Sequence, residues 1–185
     1  YDYAHNMPSH AERLFDDVLA PMTSPRLMEQ VHSGAAPPLS QPADLAGHTL
    51  LEEDDHRPSA YSLSWRRWLQ LHGHAQLEPR RWVYLNFTHQ QVQGALAGQG
   101  IALARLPMVH DLQARGELVE PFGPGARMNG EAAYWLVLMP QARLRPALQA
   151  FAQWVRAEAA RTRQAIGEVA APERPKPVRG RRGAP

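Results

Sequence analysis

The segment Tyr84–Pro107 carries the strongest indication of ligand binding. It reads as a strand, a helix and a second strand, with Thr88 at the junction between the first strand and the helix. Thr88-x-x-Gln91 is a capping-box pattern, which predicts Thr88 as the N-cap and Gln91 as the third helical residue. A helix N-terminus presents unpaired N–H groups and a positive dipole end, so it can hold a carboxylate or a phosphate. The residues alone leave open whether Thr88 contacts a ligand or only caps its helix.

Two other polar clusters invite a metal interpretation. His72-Gly73-His74 has the spacing of a ligand pair, but no third ligand is fixed nearby, so we favour a surface loop. The run from Glu52 to His56 (EEDDH) lacks the spacing of an EF-hand and is more typical of a solvated loop. The chain has no nucleophile elbow, phosphate-binding glycine loop or zinc-ligand helix. We therefore expect no metal, no cofactor and no enzymatic activity.

Aromatic and basic residues alternate near residue 65. Trp65 and Trp68 flank Arg66 and Arg67, an arrangement that can stack nucleic-acid bases. Their helical spacing favours packing of an amphipathic helix instead. Arg105 interrupts an otherwise apolar strand, and the sequence leaves open whether it pairs with an acid or reaches a binding cleft.

Strands and helices alternate along the chain. Because several strands are apolar runs without polar alternation, the pattern predicts an α/β fold with largely parallel sheets. Such sheets bind ligands beyond the carboxyl ends of their strands. The predicted strands are 14–22, 48–52, 83–87, 101–106 and 133–139, the last covered on both faces, and the predicted helices are 65–72, 88–98, 108–115 and 146–162. The last helix has an apolar stripe made of Leu148, Phe151, Ala152, Val155 and Ala159.

Charge is unevenly distributed over the 185 residues. The net charge is +2, but residues 172–185 carry +4 and the rest of the chain carries −2. The basic Pro/Gly/Arg tail is typical of a disordered end, with weak contact to nucleic acid as the alternative. The absence of cysteine excludes disulfides and thiolate sites. No apolar run reaches membrane-spanning length, and the first residues do not form a secretory signal.

Several motifs together resemble the effector-binding region of LysR-type transcriptional regulators, in the subgroup of the glycine-cleavage and β-lactamase regulators. The resemblance covers about residues 1–160. It lies in LFDDVLAPMTSP from Leu14, the Trp65-x-x-Trp68 helix, Phe87-Thr88 with the following ALAGQGIAL, Leu112-x-x-Gly-x-Leu-Val-x-Pro-Phe, Tyr134-Trp-Leu, and Phe151-x-x-Trp154.

The resemblance implies a two-lobed fold like that of type 2 periplasmic binding proteins. The chain would cross between lobes near Ala20-Pro21 and near Leu106-Pro107. Residues 1–20 and 107–165 would form part of lobe I, residues 21–106 lobe II, and residues 166–185 the disordered tail. The first βαβ portion of lobe I and the winged helix-turn-helix domain of the family are expected to lie outside these residues.

The resemblance also implies where an effector would bind. Thr88 matches a hydroxyl residue that faces the effector in the β-lactamase regulators, and Tyr134 matches a pocket residue. Tyr134 has an alternative interpretation as a core aromatic whose hydroxyl bonds to the backbone. His89, beside Thr88, and Asn6, before the first crossing, are further candidates for effector contact.

We therefore expect a ligand-sensing domain of a cytoplasmic bacterial regulator. A small, anionic effector would bind between the lobes of a homo-oligomer, and DNA would be contacted only through the helix-turn-helix domain, without membrane contact. The alternative is a stand-alone solute-binding protein of the same fold, and an enzyme on a similar scaffold is the third hypothesis.

Overall fold

The computed structural model of the protein describes residues 1–54, 63–140 and 145–168. Five strands and five α-helices lie within these ranges, together with three short 3-10 helices at Ala4–Asn6, Pro42–Gly47 and Pro124–Ala126. The strands and α-helices, in chain order, are β1 (Glu12–Met22), α1 (Pro25–His32), β2 (Thr49–Glu53), α2 (Trp65–Leu71), β3 (Arg81–Leu85), α3 (Thr88–Leu96), β4 (Ile101–Arg105), α4 (Leu106–Ala114), β5 (Met128–Leu136) and α5 (Pro146–Ile166).

The five strands form one mixed sheet in the order β3-β2-β4-β1-β5. Strand β2 pairs in parallel with β3 and β4, as expected for strands separated by helices. Strand β1 pairs antiparallel with both β4 and β5. The prediction of an α/β fold is confirmed, but that of largely parallel pairing is wrong for β1, because an apolar run shows burial without showing strand direction.

Apolar residues cover the sheet on both faces. Along β4, Ile101 and Leu103 join one core cluster, whereas Ala102 and Ala104 join the other. This alternation follows from the two-residue period of a strand, and both sets are buried because helices lie on both sides. Helices α3, α4 and α5 contribute to the cluster that contains Ala102, and α2 contributes to the cluster that contains Leu103.

The two tryptophans of α2 are fully buried in the core. The Trp65 Nε1–H donates to the Leu51 carbonyl at 3.0 Å, and the Trp68 Nε1–H donates to the Ala126 carbonyl at 2.7 Å. Both polar atoms are therefore satisfied, and the packing interpretation of this pair is confirmed. His72 stacks on Trp68 with ring centroids 3.9 Å apart, and its Nδ1 lies 2.7 Å from the Trp68 carbonyl.

Strand β5 and helix α5 differ from their predicted burial. The strand ends at Leu136, so Val137 and Met139 lie beyond it and are 40% and 63% exposed. Residues 133–139 are therefore not a strand covered on both faces, because only residues up to Leu136 belong to β5, the edge strand of the sheet. On α5, Ala152 is buried, but Phe151 of the predicted stripe is 56% exposed.

Helix α5 runs one turn further than predicted, to Ile166, which is buried. Gly167 ends the helix in the left-handed conformation. The Glu168 carboxylate accepts from Arg13 at 2.9 Å and from the Asp16 N–H at 3.0 Å. The ordered contacts thus continue past the predicted start of the tail at 166, and residues 169–185 lie outside the described residues.

The two predicted chain crossings lie side by side. Leu19 pairs with Arg105 and Ala20 pairs with Ala104 in the antiparallel ladder between β1 and β4. One part of β1 pairs with β5 and the other part pairs with β4. This geometry agrees with a pair of neighbouring connections, while the division into two lobes stays a prediction.

Candidate functional site

The candidate site lies where β2, β3 and β4 end. These strands run in parallel and finish at Glu53, Leu85 and Arg105, so their carboxyl ends share one edge of the sheet. Only two residues separate the end of β3 from the start of α3, which brings the helix N-terminus to the same edge. Edges of this kind, where helix N-termini meet strand ends, are the usual ligand sites of α/β sheets.

Thr88 is the first residue of α3 and not its N-cap. Phe87 occupies the N-cap position, and the Gln90 side-chain oxygen accepts from the Asn86 and Phe87 N–H groups at 3.1 Å and 3.3 Å. The capping prediction was therefore wrong by one residue, because Gln90 rather than Gln91 reaches back to the helix start. Gln91 is instead buried against the core.

The Thr88 hydroxyl is held by a residue from the neighbouring strand. Its Oγ1–H donates to Glu53 Oε2 at 2.8 Å. The hydroxyl is half-buried, and its hydrogen points at a carboxylate, so its lone pairs are the part left to meet another group.

A buried ion pair lies at the end of β4. The Asp17 side chain is 0% exposed, and Arg105 reaches it through Nη2 at 2.6 Å and Nε at 3.1 Å. The Tyr1 hydroxyl donates to Asp17 Oδ2, the oxygen that Nη2 also contacts, at 2.8 Å. Burial lowers the pKa of Arg105, but the hydrogen bond and charge of Asp17 outweigh it and leave that pKa above its ordinary value. The question left open for Arg105 is thus answered: it pairs with an acid, and it does so at the site edge.

Tyr134 stands next to this pair on β5. Its ring lies 4.7 Å from Phe15 and 5.0 Å from Tyr1, measured between centroids, and the Arg105 guanidinium lies 5.8 Å from its centroid. Within the described residues, the buried Tyr134 hydroxyl has no hydrogen-bond partner. The alternative in which this hydroxyl bonds to the backbone is therefore wrong. Burial raises the pKa of Tyr134, so the hydroxyl keeps its proton at neutral pH.

His89 and Asn6 lie at the surface. His89 is exposed and stacks on Phe87 with ring centroids 5.6 Å apart. Asn6 is exposed, and its side-chain amide donates to Asp2 Oδ1 at 2.8 Å. His89 follows Thr88 on α3, while Asn6 belongs to the N-terminal 3-10 helix, and contact of either with an effector stays a prediction.

Glu52 differs most from its predicted environment. It lies at the boundary between the predicted strand 48–52 and the predicted solvated run, and in the structure it is a partly buried residue of β2. Its carboxylate accepts from the Trp65 N–H at 3.0 Å and the Glu53 N–H at 3.2 Å. Burial raises the pKa of Glu52 to about 7, although these two hydrogen bonds oppose the shift. Asp55 and His56, which complete the acidic run, lie outside the described residues.

No metal-binding group emerges from the part of the chain that the structure describes: nowhere in it do three or more His, Asp or Glu side chains converge as ligands. Over the same ranges, no helix is long and apolar enough to cross a membrane.

The matching family model decides the identity of this arrangement. The LysR substrate binding domain model matches residues 3–160. The chain belongs to the LysR substrate-binding domain family.

Individual relatives agree with this LysR assignment. The chain is 31% identical over 149 residues to the glycine cleavage system transcriptional activator of Escherichia coli K12 and 28% identical over 148 residues to the HTH-type transcriptional activator AmpR of Enterobacter cloacae. Each match covers 80% of this chain and 45% of the relative, so the chain spans about half the length of the curated relatives.

Solved structures show the same fold. The effector domain of the transcriptional regulator AmpR of Pseudomonas aeruginosa superimposes with a TM-score of 0.60 at 26% identity, covering 86% of this chain and 69% of that chain. The AmpR effector binding domain of Citrobacter freundii gives a TM-score of 0.56 at 24% identity, covering 82% and 68%. The sheet therefore belongs to the two-lobed, periplasmic-binding-protein-like fold of LysR effector domains.

The LysR resemblance identified Thr88 and Tyr134, and the structure adds residues that the sequence reasoning missed. Asp17 and Glu53 carry the main contacts of Arg105 and Thr88, and Tyr1 completes the cluster. The signal for Asp17 was available, because it is a charge inside an apolar strand, as Arg105 is. The partner of each could not be read from the sequence, since 88 positions separate the two residues.

Proposed function

We propose that this LysR domain senses a small, anionic effector at the sheet edge between Thr88 and Tyr134 and so controls transcription by a longer regulator. The observation that carries the proposal is the buried Tyr134 hydroxyl, which has no hydrogen-bond partner among the described residues. A buried polar group without a partner costs free energy, and a ligand oxygen would remove that cost.

The two hydroxyl groups offer different chemistry to an effector. Tyr134 stays protonated at neutral pH, so its O–H can donate to a carboxylate, phosphate or carbonyl oxygen. Thr88 lies at the first turn of α3, where backbone N–H groups and the helix dipole favour an anionic group. His89, at the second position of α3, and Asn6 are the further proposed contacts at the rim.

The acidic side chains restrict how an anion can be accommodated. Arg105 is already paired with Asp17, so its charge is largely neutralised before an effector arrives. The proposed anionic group is therefore held by the α3 N-terminus and by the Tyr134 hydroxyl as a neutral donor, a mode that needs no free guanidinium. The Thr88 hydroxyl donates to Glu53, so it would accept a hydrogen bond from a donor group of the effector.

The domain would act through the arrangement of its two proposed lobes, residues 1–20 with 107–165 and residues 21–106. An effector shifts such an equilibrium only by binding one arrangement more tightly than the other. We propose that the regulator is a cytoplasmic homo-oligomer that contacts DNA through a helix-turn-helix domain outside these residues and makes no membrane contact.

The family assignment favours this regulator over a stand-alone solute-binding protein. We also propose that the domain is not an enzyme, since the relatives are transcriptional activators and their effector domains. The proposal involves no metal and no cofactor.

Substitution of Thr88 and Tyr134 tests the site. A thermal-shift screen of anionic metabolites on the purified chain first selects a ligand, and a promoter reporter then measures the dose response of the full-length regulator to it. We expect Thr88→Val and Tyr134→Phe each to weaken the response at least tenfold, because each removes one hydroxyl contact. Thr88→Ser keeps the hydroxyl and is the matched control, which should respond like the wild type.

An unchanged dose response in both Thr88→Val and Tyr134→Phe would refute the assignment of the site. A loss of response that merely follows a lower unfolding midpoint would mean that Thr88 acts only through its bond to Glu53. Urea unfolding of the same variants separates the two results.

A further inference from the structure

We propose that the Asp17–Arg105 ion pair is a positioning pair, which holds Tyr1 and Tyr134 in place so that effector binding depends on it without direct contact. This inference rests on the proposed function for its consequence, but the positioning itself can be tested without any effector.

Asp17 is brought into the interior by an irregularity in the sheet. The pairing of β1 with β5 shifts between Asp16 and Val18, where β5 has extra residues opposite Asp17. One of them is Gly130, and a Cβ added there would lie 3.2 Å from both the Cβ and the carbonyl oxygen of Asp17. Bulges of this type re-aim side chains and are frequent beside functional sites. This approach is tighter than most Cβ contacts, so it favours glycine at the position opposite the buried carboxylate.

The buried carboxylate is fully occupied. Arg105 donates one hydrogen bond from Nε to Asp17 Oδ1 and brings Nη2 into ionic contact with Oδ2, and Tyr1 donates a second hydrogen bond, to Oδ2. Nη2 itself has no hydrogen-bond partner among the described residues. Paired geometry of this kind fixes the plane of the guanidinium, which a single contact would leave free to rotate. Replacing such a pair with apolar residues is often neutral or stabilising, so stability alone is weak support for keeping it.

The guanidinium and the phenol then hold Tyr134. The Arg105 guanidinium lies 4.3 Å from the centroid of the Tyr1 ring, which places a cation against its face. Tyr1 in turn packs on Tyr134, whose other neighbour is Phe15 on β1. Asp17 therefore binds both residues, Tyr1 and Arg105, that contact the Tyr134 ring on this side.

This support matters because the Tyr134 hydroxyl has no hydrogen bond of its own among the described residues. The orientation of a phenol with no such bond is set by what packs against its ring. Loss of the pair would release the ring and add a conformational cost to effector binding, because a free side chain must be ordered again on binding.

A double substitution tests the inference without leaving a charge buried. Removing one partner alone would strand the other in the interior, so the variant is Asp17→Asn with Arg105→Gln. The matched control is Glu12→Gln with Arg156→Gln, which removes an exposed ion pair (2.8 Å) that involves the same strand. Nuclear Overhauser effects between Tyr134 and its neighbours are measured on the ligand-free chain with 13C-labelled aromatic rings.

We expect the double variant to fold and to lose the nuclear Overhauser effects between Tyr134 and Tyr1. Its response to the screened metabolite should be at least tenfold weaker than that of the wild type. The control should keep both. Arg105→Lys, which keeps the charge but loses the paired geometry, should fall between them.

The positioning role is refuted if Asp17→Asn/Arg105→Gln matches the wild type both in the nuclear Overhauser effects of Tyr134 and in the dose response. A second outcome is that the nuclear Overhauser effects between Tyr134 and Tyr1 are lost, but neither this variant nor Tyr134→Phe changes the dose response. The site assignment then fails, while the positioning role stands. If the double variant does not fold, the same two measurements on Arg105→Lys test the inference. An Arg105→Lys variant that matches the wild type in both would overturn it.

Discussion

Neutralising Glu52 should stabilise the protein at alkaline pH and leave it almost unchanged at acid pH. The Glu52 carboxylate is buried at the start of α2, and its pKa rises from an ordinary value of 4.5 to about 7. The folded protein therefore holds a proton on Glu52 in the range where the unfolded chain has released it. Stability from this group is complete below pH 4.5 and is lost as the pH rises through 7.

The size of the effect follows from the shift. One pKa unit corresponds to about 1.4 kcal/mol, so the full shift corresponds to about 3 kcal/mol between pH 4 and pH 8. Glu52→Gln removes the ionisation and keeps an oxygen that can accept from the Trp65 N–H. We expect the variant to gain up to about 3 kcal/mol over the wild type at pH 8, relative to the same comparison at pH 4.

Urea unfolding at a series of pH values measures this difference. Glu78→Gln, which removes an exposed carboxylate that accepts from Trp82, controls for the loss of one negative charge. The Gln amide also faces the Glu53 N–H, which changes the free energy of unfolding by an amount that does not depend on pH. The quantity to compare is therefore how the free-energy difference between variant and wild type changes with pH. A difference between Glu52→Gln and wild type that is the same at pH 4 and pH 8 would refute the burial argument.

Two further substitutions test the local packing by urea unfolding. Gly100→Ala should lower the free energy of unfolding by about 1–3 kcal/mol, because the added Cβ would lie 2.6 Å from the Thr49 carbonyl oxygen. Gly125→Ala, with open space around it, is the control, and equal losses in both would contradict the close-approach argument. Ser24→Ala should cost about 1 kcal/mol, since its hydroxyl accepts from the Leu27 N–H at the start of α1. An unchanged unfolding midpoint in Ser24→Ala would show that this cap contributes nothing.

Local signals predicted the helix starts at which the cap residue has a short polar side chain. Ser24 followed by Pro25 is the pattern of an N-cap and a first helical residue, and the structure has both in those places at α1. At α3 the same rule failed, because Thr88 is the only hydroxyl residue near the junction and was assigned the capping role. The structure satisfies that helix start from Gln90, so a capping box read from sequence does not determine which of two adjacent residues caps.

Long-range pairings set the limit of the sequence reasoning. An apolar run such as residues 14–22 indicates a buried strand, but it does not show that the strand lies between two antiparallel neighbours. The burial of Glu52 depends on what covers the end of β2, where its carboxylate accepts from the Trp65 N–H at the start of α2. Neither the pairing direction of β1 nor the burial of Glu52 can be predicted from local composition, because both depend on residues that are distant in the chain.

The charges inside apolar strands are the sequence feature that was most informative about the site. A strand that places Asp17 or Arg105 among buried aliphatic neighbours would be unstable unless each charge met a partner, because an unpaired buried charge costs several kcal/mol. Two such residues in strands that pair with each other are therefore evidence for a contact between them. We propose that this contact supports the ring of Tyr134 on the adjacent strand, whose buried hydroxyl has no hydrogen-bond partner among the described residues. That hydroxyl would give the sheet edge a neutral donor for a ligand oxygen.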